Sequence, residues 1–82
     1  MMKLIEVPKI SEILKEEFMI PLGISAYRLA QDIHVPASRI QAILSDKRKV
    51  TADISLRLGK YFCVSDTYFL DLQRDINRRN SL

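Results

Sequence analysis

Length, charge and cysteine content narrow the class of this protein. Its 82 residues carry a net charge of +3 and one cysteine, Cys63, so we expect one small domain without an internal disulfide. A domain of this size buries only about two-thirds of its unfolded surface, which favours oligomers. The sequence shows no signal peptide and no apolar run of about 18 residues, so we expect a cytoplasmic protein that does not enter a membrane.

The first helix is predicted to begin at Pro8, after a loose lead at residues 1–7. Proline suits the first turn of a helix because its missing N–H needs no partner there. Pro21 and Gly23 are expected to end this helix. Its apolar stripe is Ile10, Ile13, Leu14 and Phe18, and its charged face is Lys9, Glu12, Lys15, Glu16 and Glu17. We interpret the glutamates as solvated charges, since no basic or metal-binding neighbour accompanies them at helical spacing.

The second and third helices form the central motif of the chain, between Ala26 and Ser45. Ser25 is a natural N-cap for the second helix, and Pro36 stands at the start of the third. His34 closes the second helix at a position where glycine is usual. The two apolar stripes are Leu29, Ala30 and Ile33, then Ile40, Ile43 and Leu44. Two short helices joined by a tight turn are typical of a helix-turn-helix.

The outward face of the third helix predicts contacts with DNA bases, because Arg and Gln can pair with base edges in the major groove. The predicted base-contacting residues are Ala37, Ser38, Arg39, Gln41, Ala42 and Ser45. The following basic loop and the second helix suit phosphates, and the predicted phosphate-contacting residues are Tyr27, Arg28, Gln31, Lys47, Arg48 and Lys49. A core position is an equal alternative for Tyr27. Residues 37–60 hold six basic and two acidic residues, which supports this assignment.

Two further helices complete the predicted all-α fold. Thr51 is expected to cap the fourth helix, and Ser65 with Asp66 to open the fifth. The apolar residues of the fifth helix cover too wide an arc for one contact, so we expect part of them to form a homodimer interface. This set is Tyr68, Phe69, Leu70, Leu72 and Ile76, with Leu70 as the most outward member. Residues 77–82 are polar and basic, and we expect them to fray.

The sequence contains no pattern typical of an enzyme, a metal site or a cofactor site. His34 is the single histidine and has no cysteine near it, so we interpret it as a turn residue rather than a metal ligand. We find no paired nucleophile and base and no glycine-rich phosphate loop. We therefore predict no catalytic residue, no metal and no cofactor.

Three segments carry a resemblance to a known family: EEFMIPLGIS at residues 16–25, SDKRKVTAD at residues 45–53 and YFLDLQRDI at residues 68–76. Together with the helix-turn-helix between them, they resemble a HigA-type antitoxin of the XRE superfamily. The resemblance covers about residues 8–76. It implies a single five-helix, lambda-repressor-like domain that dimerises, represses its own operon at a palindromic operator, and neutralises a HigB-type toxin. Such toxins resemble RelE ribonucleases, which cleave mRNA.

Three residues depart from the family pattern, since His34, Asp46 and Cys63 stand where glycine is usual. Aspartate and histidine tolerate a left-handed backbone better than cysteine does. Two other functions stay open. One is a stand-alone XRE-type transcriptional regulator without a toxin. The other is a module that only sequesters a protein partner, although such a module has no need for Lys47 to Lys49 beside Arg39 and Gln41.

Overall fold

The computed structural model describes residues 9–80, and this part of the chain is all-α. Helix α1 has three consecutive parts, Ile10–Ile13, Leu14–Met19 and Ile20–Leu22; α2 is Ala26–Ile33, α3 is Ala37–Leu44, α4 is Ala52–Phe62 and α5 is Tyr68–Asn80. The predicted five-helix fold is therefore confirmed. The expected lead at residues 1–7, the helix start at Pro8 and residues 81–82 of the predicted tail lie outside the described residues.

Side-chain caps begin two of the helices where the sequence predicts them. Ser25 Oγ accepts a hydrogen bond from the Arg28 N–H at 3.1 Å, which caps α2. Thr51 Oγ1 accepts one from the Ile54 N–H at 3.3 Å, which caps α4. Pro36 precedes α3 with a φ of −61°, the value that its ring fixes.

The first four helices are each followed by a residue with a left-handed backbone. These residues are Gly23, His34, Asp46 and Cys63, with φ between 61° and 65°. After each of them the next N–H reaches back five residues, as from Val35 to the Ala30 carbonyl at 3.0 Å. This conformation costs a non-glycine residue about 1 kcal/mol or more. The prediction that His34, Asp46 and Cys63 occupy glycine-type positions is confirmed.

Helix α1 widens in its middle, just before Pro21. Its segment Leu14–Met19 is π-helical, and the Ile20 N–H donates to the Lys15 carbonyl, five residues back. Proline cannot donate such a bond, and in an α-helix its ring crowds the carbonyl four residues earlier. The wider π turn relieves this crowding and still buries Leu14 and Met19.

One hydrophobic core joins all five helices. The large residues at its centre, each below 2 % exposed, are Leu14, Leu29, Ile40, Ile43, Ile54, Leu58 and Phe69. An aromatic cluster closes the core between α1, α4 and α5. The Phe18 ring centroid lies 5.0 Å from that of Phe62, 5.1 Å from that of Phe69 and 5.9 Å from that of Tyr68.

This core corrects part of the predicted dimer interface. Phe69 is 0 % and Ile76 is 6 % exposed, so both side chains are used within the chain and offer no surface to a second copy. The apolar residues of α5 cover a wide arc because α5 packs on both α1 and α4 within the same chain. Tyr68, Leu70 and Leu72 are partly exposed, and for them the interface stays a prediction.

Two small residues of α4 set the position of α5. Buried Ser55 donates its hydroxyl to the Asp66 carbonyl at 2.8 Å and accepts the Leu70 N–H at 3.2 Å, which caps the start of α5 from outside. Gly59 is needed because a Cβ there would lie 2.4 Å from the Ser65 carbonyl oxygen. The fifth helix therefore leaves α4 in a fixed direction.

The end of α5 is helical beyond the point where the sequence analysis places a tail. Residues 77–80 continue the helix to Asn80. Asp75 pairs with Arg78 at 3.3 Å and with Arg79 at 3.2 Å, one turn further along. Such pairs stabilise an exposed helix by about 0.2–0.5 kcal/mol each.

Candidate nucleic-acid interface

Helices α2 and α3 meet through a tight turn that fixes their crossing. His34 supplies the left-handed residue, and the next residue, Val35, is half-buried against the core. At the contact stands Ala30, which is 1 % exposed and leaves room for α3 to approach. The arrangement confirms the predicted helix-turn-helix and leaves one face of α3 outside the core.

The outward face of α3 holds the predicted base-contacting residues. Ser38, Gln41 and Ser45 are exposed, whereas Ala37, Arg39 and Ala42 are half-buried. The side chains of Ser38, Arg39 and Gln41 make no hydrogen bond or ion pair with any described residue, so their polar groups can face a ligand.

Ser45 is less available for a base than the sequence indicates. Its hydroxyl donates to the Gln41 carbonyl at 2.6 Å, inside its own helix. The proton of Ser45 is thus already used, and only its lone pairs face outward. We interpret Ser45 as part of the end of α3, with Ser38, Arg39 and Gln41 as the principal candidates for base contacts.

The basic loop follows directly from α3. The Lys47 N–H donates to the Ala42 carbonyl at 2.8 Å, which ties the start of the loop to the helix. The side chains of Lys47, Arg48 and Lys49 are exposed, and none of them pairs with a described acidic group. Arg48 and Lys49 also border a surface depression of about 260 Å³ beside the start of α1 and the face of α5. All three cations remain able to bind phosphate.

Arg28 is held in place by a chain of hydrogen bonds that the sequence analysis missed. Its Nε lies 3.1 Å from Asp32 Oδ2, and the Tyr61 hydroxyl donates to the same oxygen at 2.6 Å. The Tyr61 hydrogen bond, followed by that of Arg28, holds the pKa of Asp32 below its ordinary value. The same bond raises the pKa of Tyr61. Asp32 contacts only Nε, so the two terminal nitrogens of Arg28 still face solvent.

The other predicted phosphate contacts on α2 are exposed. Tyr27 is 66 % exposed, so the alternative that placed it in the core is wrong. Gln31 is exposed as well, one turn after Tyr27. Arg57, for which the sequence predicts no specific contact, donates from Nη1 to the Ile33 carbonyl at 2.8 Å. This hydrogen bond links the C-terminal end of α2 to α4 and so positions the helix-turn-helix.

The ion pairs of the chain divide its charges into two groups. The arginines of α2, α4 and α5 pair with aspartates one turn away, as Arg57 does with Asp53 at 3.0 Å. Within residues 9–79, the basic side chains that form no ion pair are Lys15, Arg39, Lys47, Arg48, Lys49 and Lys60. Four of these six lie on α3 or its loop. We call Arg39, Lys47, Arg48 and Lys49 the α3–loop cations.

Metal-binding and membrane-spanning features are not found among the described residues. No group of three or more His, Cys, Asp or Glu side chains there is arranged to hold a metal ion. None of the described helices is long and apolar enough to cross a membrane.

The chain is similar to several known proteins. It is 44% identical over 70 residues to virulence-associated protein I of Dichelobacter nodosus, covering 83% of this chain and 65% of that protein. It is 35% identical to a solved addiction module antidote protein of a HigA family from Coxiella burnetii, with a TM-score of 0.86 over 95% of this chain and 85% of that one. It is 30% identical to Pseudomonas aeruginosa antitoxin HigA, solved with the higBA promoter, with a TM-score of 0.86 over 93% and 83%.

Two further facts describe the extent of these similarities. No protein-family profile matches the chain. The chain spans 58% to 65% of the length of the curated relatives that it matches.

Proposed function

The chain belongs to the HigA family, and on this premise we propose that it is a DNA-binding antitoxin that represses its own operon. The observation that carries this proposal is the concentration of unpaired cations on α3 and the loop after it. Phosphates attract such charges without regard to sequence, while Arg39 and Gln41 can select bases. A relative with a similar fold was solved with a promoter, which supports DNA binding by this chain.

The operator is proposed to be a palindrome bound by a homodimer. One helix-turn-helix of this size makes too few contacts to select a site in a genome, whereas a twofold dimer presents two recognition helices about 34 Å apart, one turn of DNA. Tyr68, Leu70 and Leu72 are partly exposed on α5 and support an interface there. The interface would then join two copies through the helix that Ser55 and Gly59 hold in place.

The second half of the proposed function is neutralisation of a HigB-type, RelE-like toxin that cleaves mRNA. This half rests on family membership. We infer that the chain itself performs no catalysis and acts by binding, since its relatives are antitoxins and helix-turn-helix regulators. Its place of action is proposed to be the cytoplasm, where both operator and toxin are found.

The test combines two measurements. The purified protein is incubated with a pool of random DNA duplexes, and the bound DNA is sequenced; separately, it is co-expressed with the product of the adjacent reading frame. We expect a palindrome with half-sites about one helical turn apart, and relief of the growth arrest that the neighbour causes. A palindrome without relief of growth arrest would contradict the antitoxin half and indicate a stand-alone regulator. Relief without a palindrome would contradict the repressor half and indicate a sequestering module.

A further inference from the structure

The largest exposed apolar side chains of the described residues gather around one turn. Ile20 is 63 %, Leu22 is 62 % and Tyr27 is 66 % exposed, and all three lie within eight residues at the junction of α1 and α2. We call Ile20 and Leu22 the turn patch; Tyr27, which is a predicted phosphate contact, borders it. Soluble proteins seldom cluster exposed apolar side chains in this way unless the surface binds something.

The turn patch is exposed because the backbone holds it outward. Gly23 adopts a φ of 65°, its N–H donates to the Ile20 carbonyl, and the Ile24 N–H donates to the Met19 carbonyl, both at 3.0 Å. Met19 is 4 % exposed and anchors one side of the turn in the core. The adjacent Ser25 caps α2 on the other side. Ile20 and Leu22 therefore cannot turn inward without breaking these bonds.

Unpaired negative charge adjoins the turn patch along α1. Glu16 and Glu17 are exposed and make no ion pair or hydrogen bond with a described residue. Glu12, one turn earlier, accepts only the backbone N–H of Lys9. We call these three glutamates the acidic face. Asp66 is the single aspartate of the described residues without an ion pair, so three of the four unpaired anions lie on α1, where the unpaired cation Lys15 stands beside them.

We propose that the acidic face and the turn patch form one docking surface for a basic protein, which is the toxin if the proposed function holds. Glutamates repel DNA phosphates, so this surface suits a protein with Arg or Lys side chains around an apolar ridge. A protein that acts on RNA must itself carry such cations to bind phosphates. The acidic face matches that chemistry, and the turn patch supplies the apolar contact that charge alone does not.

The experiment uses the full chain and the purified product of the adjacent reading frame as its probe. Replacing Ile20 and Leu22 together with Ser should weaken the complex about tenfold or more, because exposed apolar anchors carry much of the affinity of an interface. Glu16→Lys should weaken it about fivefold at about 0.1 M salt, with a smaller effect at higher salt. The matched control is Asp66→Lys, an equal charge reversal at the other unpaired acidic position, which should leave the complex unchanged.

Operator affinity and light scattering decide between the alternatives. The variants should bind operator DNA as the wild type does, and thermal unfolding should confirm that they fold. The inference is overturned if the complex is unaffected, if operator binding falls equally, or if the variants lose self-association while the complex persists, which would assign the surface to a second copy. It is also overturned if the adjacent gene yields no basic protein that binds. Wild-type protein that binds no DNA would instead contradict the proposed function, whatever the result with the probe.

Discussion

The α3–loop cations and the acidic face of α1 are both sets of charges without ion pairs, yet their surroundings differ. Around Arg39 and the loop, the exposed neighbours are short polar residues such as Ser38 and Gln41. Beside Glu16 and Glu17 lie two large apolar side chains, Ile20 and Leu22. Short polar groups next to cations fit the edges of bases and the phosphates around them. Apolar side chains next to anions fit another protein.

The remaining charges of the chain have a different role. On α2, α4 and α5 the arginines form pairs one helical turn apart, and Arg57 also fixes the orientation of the helix-turn-helix. Exposed pairs of this kind contribute only about 0–1 kcal/mol each to stability. Arg28 pairs with Asp32 through Nε and still keeps its two terminal nitrogens for a phosphate. The pattern of pairing, more than the net charge of +3, therefore indicates which charged groups are left for a ligand.

The largest expected effect is a loss of operator binding when the dimer is broken, because the two surfaces need different numbers of copies. Operator binding requires two recognition helices, whereas docking of a protein on α1 requires one copy. Leu70→Asp should shift the protein towards monomer by light scattering and weaken full-operator binding about a hundredfold or more. The third position of a helix tolerates Asp, so α5 should remain folded. Affinity for one half-site and for the protein probe should not change.

A Leu70→Asp variant that stays dimeric and binds the full operator normally would contradict this interface. The first helix would then be the next candidate. If the first helix formed the contact between copies, the acidic face would lie at that contact, and the difference between the two surfaces would disappear.

A smaller effect is expected from the base-contacting residues. Arg39→Ala and Gln41→Ala should each reduce discrimination between the operator and a mismatched duplex by about 1–3 kcal/mol. Binding to random DNA should change much less, and the matched control Arg74→Ala, which removes a paired cation of α5, should leave discrimination intact. If both α3 variants keep the preferred operator of the wild type, the recognition face has been misassigned.

The smallest effect is a dependence of stability on pH. The lowered pKa of Asp32 stabilises the fold above its ordinary value of 3.8, and this contribution disappears as the pH falls below it. The raised pKa of Tyr61 stabilises the fold below its ordinary value of 10.0, and this contribution disappears as the pH rises above it. In urea unfolding, Tyr61→Phe should therefore lower the free energy of unfolding most between about pH 5 and 9.

The control for the pH experiment is Tyr68→Phe, which removes a hydroxyl that makes no hydrogen bond with a described residue. The difference in the free energy of unfolding between Tyr68→Phe and wild type should not vary with pH, whereas the difference for Tyr61→Phe should. A constant difference for Tyr61→Phe across the whole range would argue against the Tyr61–Asp32 bond.

Local features of the fold can be predicted from the sequence. Ser25 and Thr51 are predictable caps because their hydroxyls lie three residues before the N–H groups whose hydrogen bonds they accept. His34 and Cys63 are predictable left-handed residues because each follows a helix, and the family resemblance adds Asp46. The exposed positions of α3 follow from its 3.6-residue period. Each of these inferences needs only a few neighbouring residues.

Contacts between distant residues cannot be predicted in this way. Tyr61 and Asp32 are 29 positions apart, and Arg57 reaches back 24 positions to the Ile33 carbonyl. Periodicity places Phe69 on a dimer surface, because it does not show which helix covers which side. The α1 packing that brings Phe18 to Phe69 instead buries this side chain within the chain. Sequence spacing therefore finds the helix-turn-helix but not what orients it.

The most direct test is the dependence of operator affinity on salt. Replacing Lys47, Arg48 and Lys49 together with Ala should flatten the negative slope of log K against log salt, reducing its magnitude by about 0.9 for each phosphate that these side chains neutralise in the wild type. Replacing Arg74, Arg78 and Arg79 with Ala changes the net charge equally but removes paired cations, so it should leave the slope almost unchanged. An equal fall in both variants, or no fall in the loop variant, would contradict the assignment of DNA binding to the α3–loop cations.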